Sequence, residues 1–387
     1  MPTPQPDNNS PHENNTLIIG ISGPSSSGKT TLARLLKNVF SVLNTERNNG
    51  EQPSRTKGIQ SMIIHEDDFY VPDNHIPVVK TSSGDDIQDW DTIDAIDISF
   101  LASSLKYLRE HGSLPPELES KEDFNQDAGS GVYIDNAEIE RLKGQVKNWV
   151  EGHWRNLTSA TGTTTTTIAF LEGFLLYSPP QSELSTANTP KHSYVLRPIH
   201  QQIHAHLFLP ASYDDVKKRR EGRSGYATAG PSSSATTQAP TPIPTELPQR
   251  NSISEEVEQE VERELQNQDK VQDVPEQKAD DNNNDNSAPA NFWVDPPGYV
   301  DNIVWPHYVR DHSWLFLSEK GDPINADSMD NTELVRTVGQ GTNVRTNAGV
   351  TVAPCHGDLP MMDTLKWAVT EVLNAWETKE RSTTTIQ

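Results

Sequence analysis

Residues 23–30, GPSSSGKT, constrain this chain more than any other feature. They have the form G-x-x-x-x-G-K-[ST] and stand between an apolar run, LIIGIS (17–22), and an amphipathic stretch, TLARLLKNVF (31–40). Glycines let backbone amides turn inward around phosphate oxygens, and a helix starting at the loop adds the partial positive charge of its N-terminus. At this spacing Lys29 reaches the β- and γ-phosphates, and the Thr30 hydroxyl is placed to ligate Mg²⁺. The plainer reading is a Ser/Gly turn that caps a helix by chance, but the strand before it and the helix after it argue otherwise. The segment therefore predicts a nucleoside triphosphate site on an α/β fold. It is silent on what receives the phosphate.

The rest of the chain reads as the same architecture. Apolar runs at 62–64, 168–171, 206–209 and 349–353 are bounded by turn signals, and helical patterns at 31–40, 213–223 and 361–377 alternate with them. Such runs suit strands buried on both faces, so a parallel sheet with helices on both faces is expected. Of 387 residues only 33% are hydrophobic, 28 are Pro, and the formal net charge is −23, so part of the chain lies outside any packed core. Residues 1–15 read as a disordered tail. Residues 227–291 read as a disordered low-complexity insert, Ser/Thr/Pro-rich at first and then acidic. That leaves one folded domain, 16–226 with 292–380. The acidic balance argues against nucleic-acid and membrane-surface partners. The lone Cys355 excludes an intramolecular disulfide, no apolar run reaches 18 residues, and the first residues lack the features of a signal peptide. A cytoplasmic location is expected, with the nucleus as a second compartment.

Four further segments are candidates for the acceptor side. HEDDFY (65–70) ends the second apolar run with the adjacent carboxylates Asp67 and Asp68, where open α/β sheets bind ligands; one of them is suited to take the proton of an attacking alcohol. Glu172 ends the third run as a metal-side acid, the plainer role being a turn cap. In QDWDTIDAIDI (88–98), Trp90 offers an aromatic face for a base, and Asp91, Asp94 and Asp97 compete to hold paired hydroxyls. An acidic helix start with a packing Trp explains the same letters. In YDDVKKRREGRSGY (213–226), five basic residues fall between Lys217 and Arg223, with Arg219 and Arg223 on one face of a helix; such a cluster suits a lid over phosphates. The histidines of HQQIHAH (200–206) have metal-like spacing but no carboxylate partner, and read as core and surface residues.

Taken in order, GPSSSGKTTLA, HEDDFY, the DWD segment, LEGFLLY, KKRREGRSGY and FWVDPPGYVDNIVWPHY resemble the fungal nicotinamide riboside kinases, within the uridine kinase-like P-loop kinases. The resemblance covers most of 17–314 apart from the insert, and the tail beyond Trp314 departs from it. It implies a P-loop kinase fold and transfer of phosphate from ATP, with Mg²⁺, to nicotinamide riboside in NAD salvage. Gly23, Pro24, Ser25, Ser26, Ser27, Gly28, Lys29, Thr30 and Thr31 would form the ATP phosphate site, with Arg219 and Arg223 serving ATP as well. Thr30 and Asp67 would hold the metal, and Asp67 would accept the proton. Asp67, Asp68, Phe69, Tyr70, Trp90, Asp91, Arg220 and Tyr226 would bind the riboside. The resemblance thus selects Asp91 over Asp94 and Asp97. The rivals are a uridine/cytidine kinase and a P-loop protein that has lost catalysis.

Overall fold

The computed structural model describes residues 15–41, 59–81, 84–118, 134–156, 166–183, 192–223, 225–228, 230 and 292–384. Almost all of the expected tail and insert lies outside these residues. In chain order the elements are β1 (Asn15–Ser22), α1 (Lys29–Phe40), β2 (Ile59–His65), β3 (Val78–Lys80), β4 (Asp86–Gln88), α2 (Ile98–His111), α3 (Asn136–Asn156), β5 (Thr166–Gly173), α4 (His192–Val195), α5 (Arg197–His200), β6 (Ala205–Phe208) and α6 (Tyr213–Glu221). They are followed by β7 (Tyr226–Ala227), β8 (Phe292–Trp293), α7 (Trp305–Asp311), α8 (Asn331–Val338), β9 (Thr351–Val352) and α9 (Met361–Thr384).

The main sheet has the order β2-β5-β1-β6-β9, with every neighbouring pair parallel. Alternation along β1 explains the layering. Leu17, Ile19 and Ile21 point into one core with Leu36 of α1, Val146 of α3 and Val372 of α9. Ile18 points into the other, with Leu105 of α2, Ile199 of α5 and Val309 of α7. Each such aliphatic side chain taken out of water contributes about 1.5–3 kcal/mol, so a strand apolar on both faces is held from both sides. The expected α/β fold, a parallel sheet between helices, is the one observed.

Some details differ from the sequence expectations. The last strand is only Thr351–Val352, shorter than the 349–353 run. Helix α6 stops at Glu221 with Gly222 as its C-cap, so Arg223 lies beyond the helix and does not share a helical face with Arg219. Two long helices, α2 and α3, have no counterpart among the expected helical patterns. Asp97, a candidate for the acceptor side, is the N-cap of α2: its side chain accepts the Phe100 amide at 2.8 Å.

Three strands deliver the site. The carboxyl ends of β1, β2 and β5 run into residues 23–28, 66–70 and 172–175, which meet at the carboxyl end of the sheet. Among the described residues no helix is long and apolar enough to cross a membrane.

Candidate active site

The phosphate loop is held in a shape that few residues tolerate. Gly28 has φ 96°, and Ser26 has φ 62°. A Cβ on Gly23 would fall 2.2 Å from the Leu209 carbonyl oxygen, so the loop packs on the end of β6 in a way only glycine allows. The hydroxyls of Ser26 and Ser27 are buried without a hydrogen-bond partner, and α1 begins with no side-chain cap. Orphaned donors at a helix N-terminus suit phosphate oxygens. Lys29 is 8% exposed and donates to the Pro24 carbonyl at 2.8 Å. Burial brings its pKa below the ordinary lysine value, against the pull of Glu172 and Asp67.

Behind the loop lies a buried polar chain. Glu172 Oε1 accepts from Thr30 Oγ1 at 2.9 Å and from His65 Nδ1 at 2.7 Å. Burial works to raise the Glu172 pKa, but His65, Lys29 and Thr30 outweigh it and leave the carboxyl below the usual range. Glu172 therefore orients Thr30 and His65. Glu66, which sequence reasoning passes over, is fully buried; its Oε2 accepts the amides of Phe174 at 2.6 Å and Leu175 at 3.1 Å. A Cβ on Gly173 would lie 2.4 Å from that oxygen, so glycine is required there. Burial pushes the Glu66 carboxyl up to about 7.

One crevice is lined by Lys29 and Thr30 on the phosphate side and by Tyr70 and Trp90 on the other, with Asp67 and Asp68 also in its wall. The charge of Asp67 acts on both Lys29 and Tyr70, so this carboxylate stands within electrostatic reach of both sides. The Trp90 indole meets Tyr70 edge-on, with centroids 5.4 Å apart at 78°, and Trp293 at 5.8 Å and 47°. Its backbone amide donates to Tyr299 Oη at 2.9 Å. Asp91 and Arg220 form a bidentate pair, both bonds 2.7 Å. The other edge of the same guanidinium grips Asp295, with Nε at 2.6 Å and Nη2 at 3.2 Å. It also lies over the rings of Tyr226 and Tyr299, at 5.3 Å and 5.6 Å from their centroids.

The structure therefore brings most of the expected residues together. Asp91 is buried in the crevice wall, whereas Asp94 is exposed and Asp97 caps α2. Arg223 and Tyr226 line the crevice, and Arg219 donates to the Ser26 carbonyl at 3.4 Å. Phe69 does not join them. Its ring is 1% exposed and packs on Phe100 in the core, because the turn after β2 sends Asp68 and Tyr70 to the crevice and Phe69 inward. His200 and His206, both half-buried, stack on each other at 4.1 Å beside Tyr177. Sequence reasoning misses His65, Glu66, Trp293, Asp295 and Tyr299. The first two sit at the head of HEDDFY. The others belong to FWVDPPGY, which carries the resemblance without receiving roles, because residues 227–291 separate it from Arg220.

No family model matches the chain. It is similar to the nicotinamide riboside kinase of Schizosaccharomyces pombe, 24% identical over 361 residues, which span 93% of this chain and 97% of that protein. It is also similar to the nicotinamide riboside kinase of Saccharomyces cerevisiae, 22% identical over 302 residues, 78% of this chain and 80% of that one. For the nicotinamide riboside kinase of Eremothecium gossypii the identity is 24% over 213 residues, 55% of this chain and 66% of that one.

Proposed function

We propose that this chain is a kinase that transfers the γ-phosphoryl group of ATP to the 5′-hydroxyl of nicotinamide riboside, giving nicotinamide mononucleotide. The observation that carries the reading is the single crevice in which a phosphate loop and an aromatic, carboxylate-lined pocket share Asp67. The relatives named above are nicotinamide riboside kinases, and the alignment with the first runs nearly end to end.

Each part has a role in that reaction. The loop amides, Lys29 and the orphaned Ser26 and Ser27 hydroxyls hold the β- and γ-phosphates. The Asp91 oxygens keep lone pairs beyond those used by Arg220, and accept from the paired ribose hydroxyls. The nicotinamide ring of the riboside is cationic, and the faces of Tyr70 and Trp90 beside carboxylates favour a cation over a neutral pyrimidine. As the 5′-oxygen bonds to the γ-phosphorus and the bond to the β-phosphate oxygen breaks, Asp67 takes the hydroxyl proton and ADP leaves. The residues also fit Mg²⁺: Thr30 Oγ1 keeps acceptor capacity after donating to Glu172, and Asp67 is close to Lys29. When bound, the ion neutralises phosphate charge. Among the described residues no group of three or more His, Cys, Asp or Glu side chains is arranged to hold a metal, so Thr30 and Asp67 are the residues that would hold the ion beside the phosphates.

The test is a panel of nucleosides with Mg·ATP, scored by kcat/KM and by the position of the new phosphate. Nicotinamide riboside should lead uridine and cytidine by at least tenfold and be phosphorylated at the 5′-oxygen. A preference for uridine would assign the crevice to a pyrimidine nucleoside.

A further inference from the structure

The ribbon on which the chain returns from residues 230–291 places a second indole in the crevice. Strand β8 pairs with β7 so that Trp293 lies opposite Tyr226, and both side chains line the crevice with Trp90. The spacing of the two indoles decides what they can do. A planar ring stacked between two others needs their faces about 7–8 Å apart, twice an ordinary carbon contact. Trp90 and Trp293 have centroids 5.8 Å apart and planes 47° apart, so they form a corner and not a slot. A ring in this pocket stacks on one indole and meets the other at its edge.

The corner is braced. Trp293 Nε1 donates to Asp295 Oδ1 at 2.9 Å, and Asp295 also binds the guanidinium that holds Asp91. One carboxylate thus ties the base side of the pocket, through Trp293, to the ribose side, through Arg220 and Asp91. The ring of Tyr299 packs against Trp293 with centroids 5.7 Å apart, while its hydroxyl accepts the Trp90 amide.

We propose that Trp293 is a specificity-determining residue for the acceptor, the second wall against which a cationic aromatic base is selected, and that Asp295 is the positioning residue that seats it. The inference rests on the kinase reading above and adds a residue to it. An indole is the strongest cation–π partner among side chains, so the corner discriminates a pyridinium ring from an uncharged base of similar size. Fixing Trp293 and Arg220 with the same carboxylate makes the two ends of the riboside bind as a unit.

The experiment compares wild type with Trp293→Ala, Trp293→Phe and Asp295→Asn, using nicotinamide riboside and uridine as acceptors. Trp293→Ala should raise KM for nicotinamide riboside at least tenfold and lower the nicotinamide riboside/uridine ratio of kcat/KM by at least fivefold, with KM for ATP within twofold of wild type. Trp293→Phe, which keeps an aromatic face, should recover most of the discrimination. Asp295→Asn should weaken the riboside more than ATP. Binding is read separately by titrating riboside without ATP and following tryptophan fluorescence: part of the quenching should vanish in Trp293→Phe. Wild type that turns over nicotinamide riboside, with both the ratio and the quenching unchanged in the Trp293 variants, would overturn this inference alone. Wild type inactive on nicotinamide riboside would overturn the functional reading instead. A Trp293→Ala protein that does not fold leaves the Phe variant and its quenching to decide.

Discussion

Thr30 shows how one hydroxyl serves two partners. It donates its proton to Glu172 at 2.9 Å, which turns its lone pairs into the acceptor side available to a cation. Thr30→Ala should therefore raise the Mg²⁺ concentration needed for half-maximal activity severalfold and lower kcat, because a metal ligand and the orientation given by Glu172 go together. An unchanged Mg²⁺ titration would remove Thr30 from the metal. At this scale the sequence is legible wherever the chemistry demands one residue type at one spacing. Lys29, Thr30, Asp67 and Trp90 all line the crevice as expected. It is illegible where the same residue type serves structure. Phe69 lies beside two crevice residues, and only the direction of the backbone after β2 sends it into the core. Glu66 heads the same acidic run, and nothing in the letters marks it as the carboxylate that holds the 173–175 turn.

Among the elements, α2 enters the same core as Ile96 and Phe69 through Leu101, Leu105 and Leu108, spaced four and three residues apart, and its Phe100 ring meets that of Phe69. Its N-terminus depends on Asp97. Loss of such a cap costs about 1 kcal/mol, so Asp97→Ala should lower the unfolding free energy by about that much in a urea titration while KM for the riboside stays within twofold. A large rise in KM would return Asp97 to the binding site. The residue leading into strand β6 carries a second test. His204 Nδ1 accepts the Ile18 amide at 3.0 Å, and burial depresses its pKa to about 4, below the unfolded value near 6.5. The unfolded chain binds the proton first on acidification, so this contribution is complete above about pH 6.5 and is lost as pH falls towards 4. His204→Asn, whose amide oxygen accepts the same bond without titrating, should flatten the decline in urea midpoint between pH 7 and pH 5. An unchanged slope would place the acid sensitivity elsewhere, for example at His200 or His206, both also depressed by burial. The main strands are legible as apolar runs. Helix α2 is not, because the acidic letters before it serve equally as pocket and as cap.

At the scale of the whole molecule, the site is assembled from segments far apart in the chain: the loop after β1, the turns after β2 and β5, residues 90–91, and the ribbon β7–β8. The ribbon explains how residues 231–291 can be accommodated. Tyr226 pairs with Trp293 and Ala227 with Phe292, while Asp73 accepts from Thr228 and from the Gly230 amide, so the chain leaves and rejoins at neighbouring, anchored points. By chain entropy alone, a flexible segment of about 60 residues would cost only about 2.5 kcal/mol more to close than one of a few residues. Replacing residues 231–290 with a short Gly/Ser bridge should leave a folded enzyme with kcat/KM within threefold for both substrates; loss of folding would show that the segment is structural. Sequence order hides the ribbon, since pairing across such a separation leaves no local signal. The central claim is that ATP and the riboside meet at Asp67. It is tested most directly by the single-turnover rate of phosphoryl transfer from ATP to nicotinamide riboside in wild type and Asp67→Asn, both substrates saturating. Asn keeps the shape and removes the proton acceptor, so the rate should fall by roughly 10²–10⁴ with ATP binding retained. A rate within threefold of wild type would contradict the account.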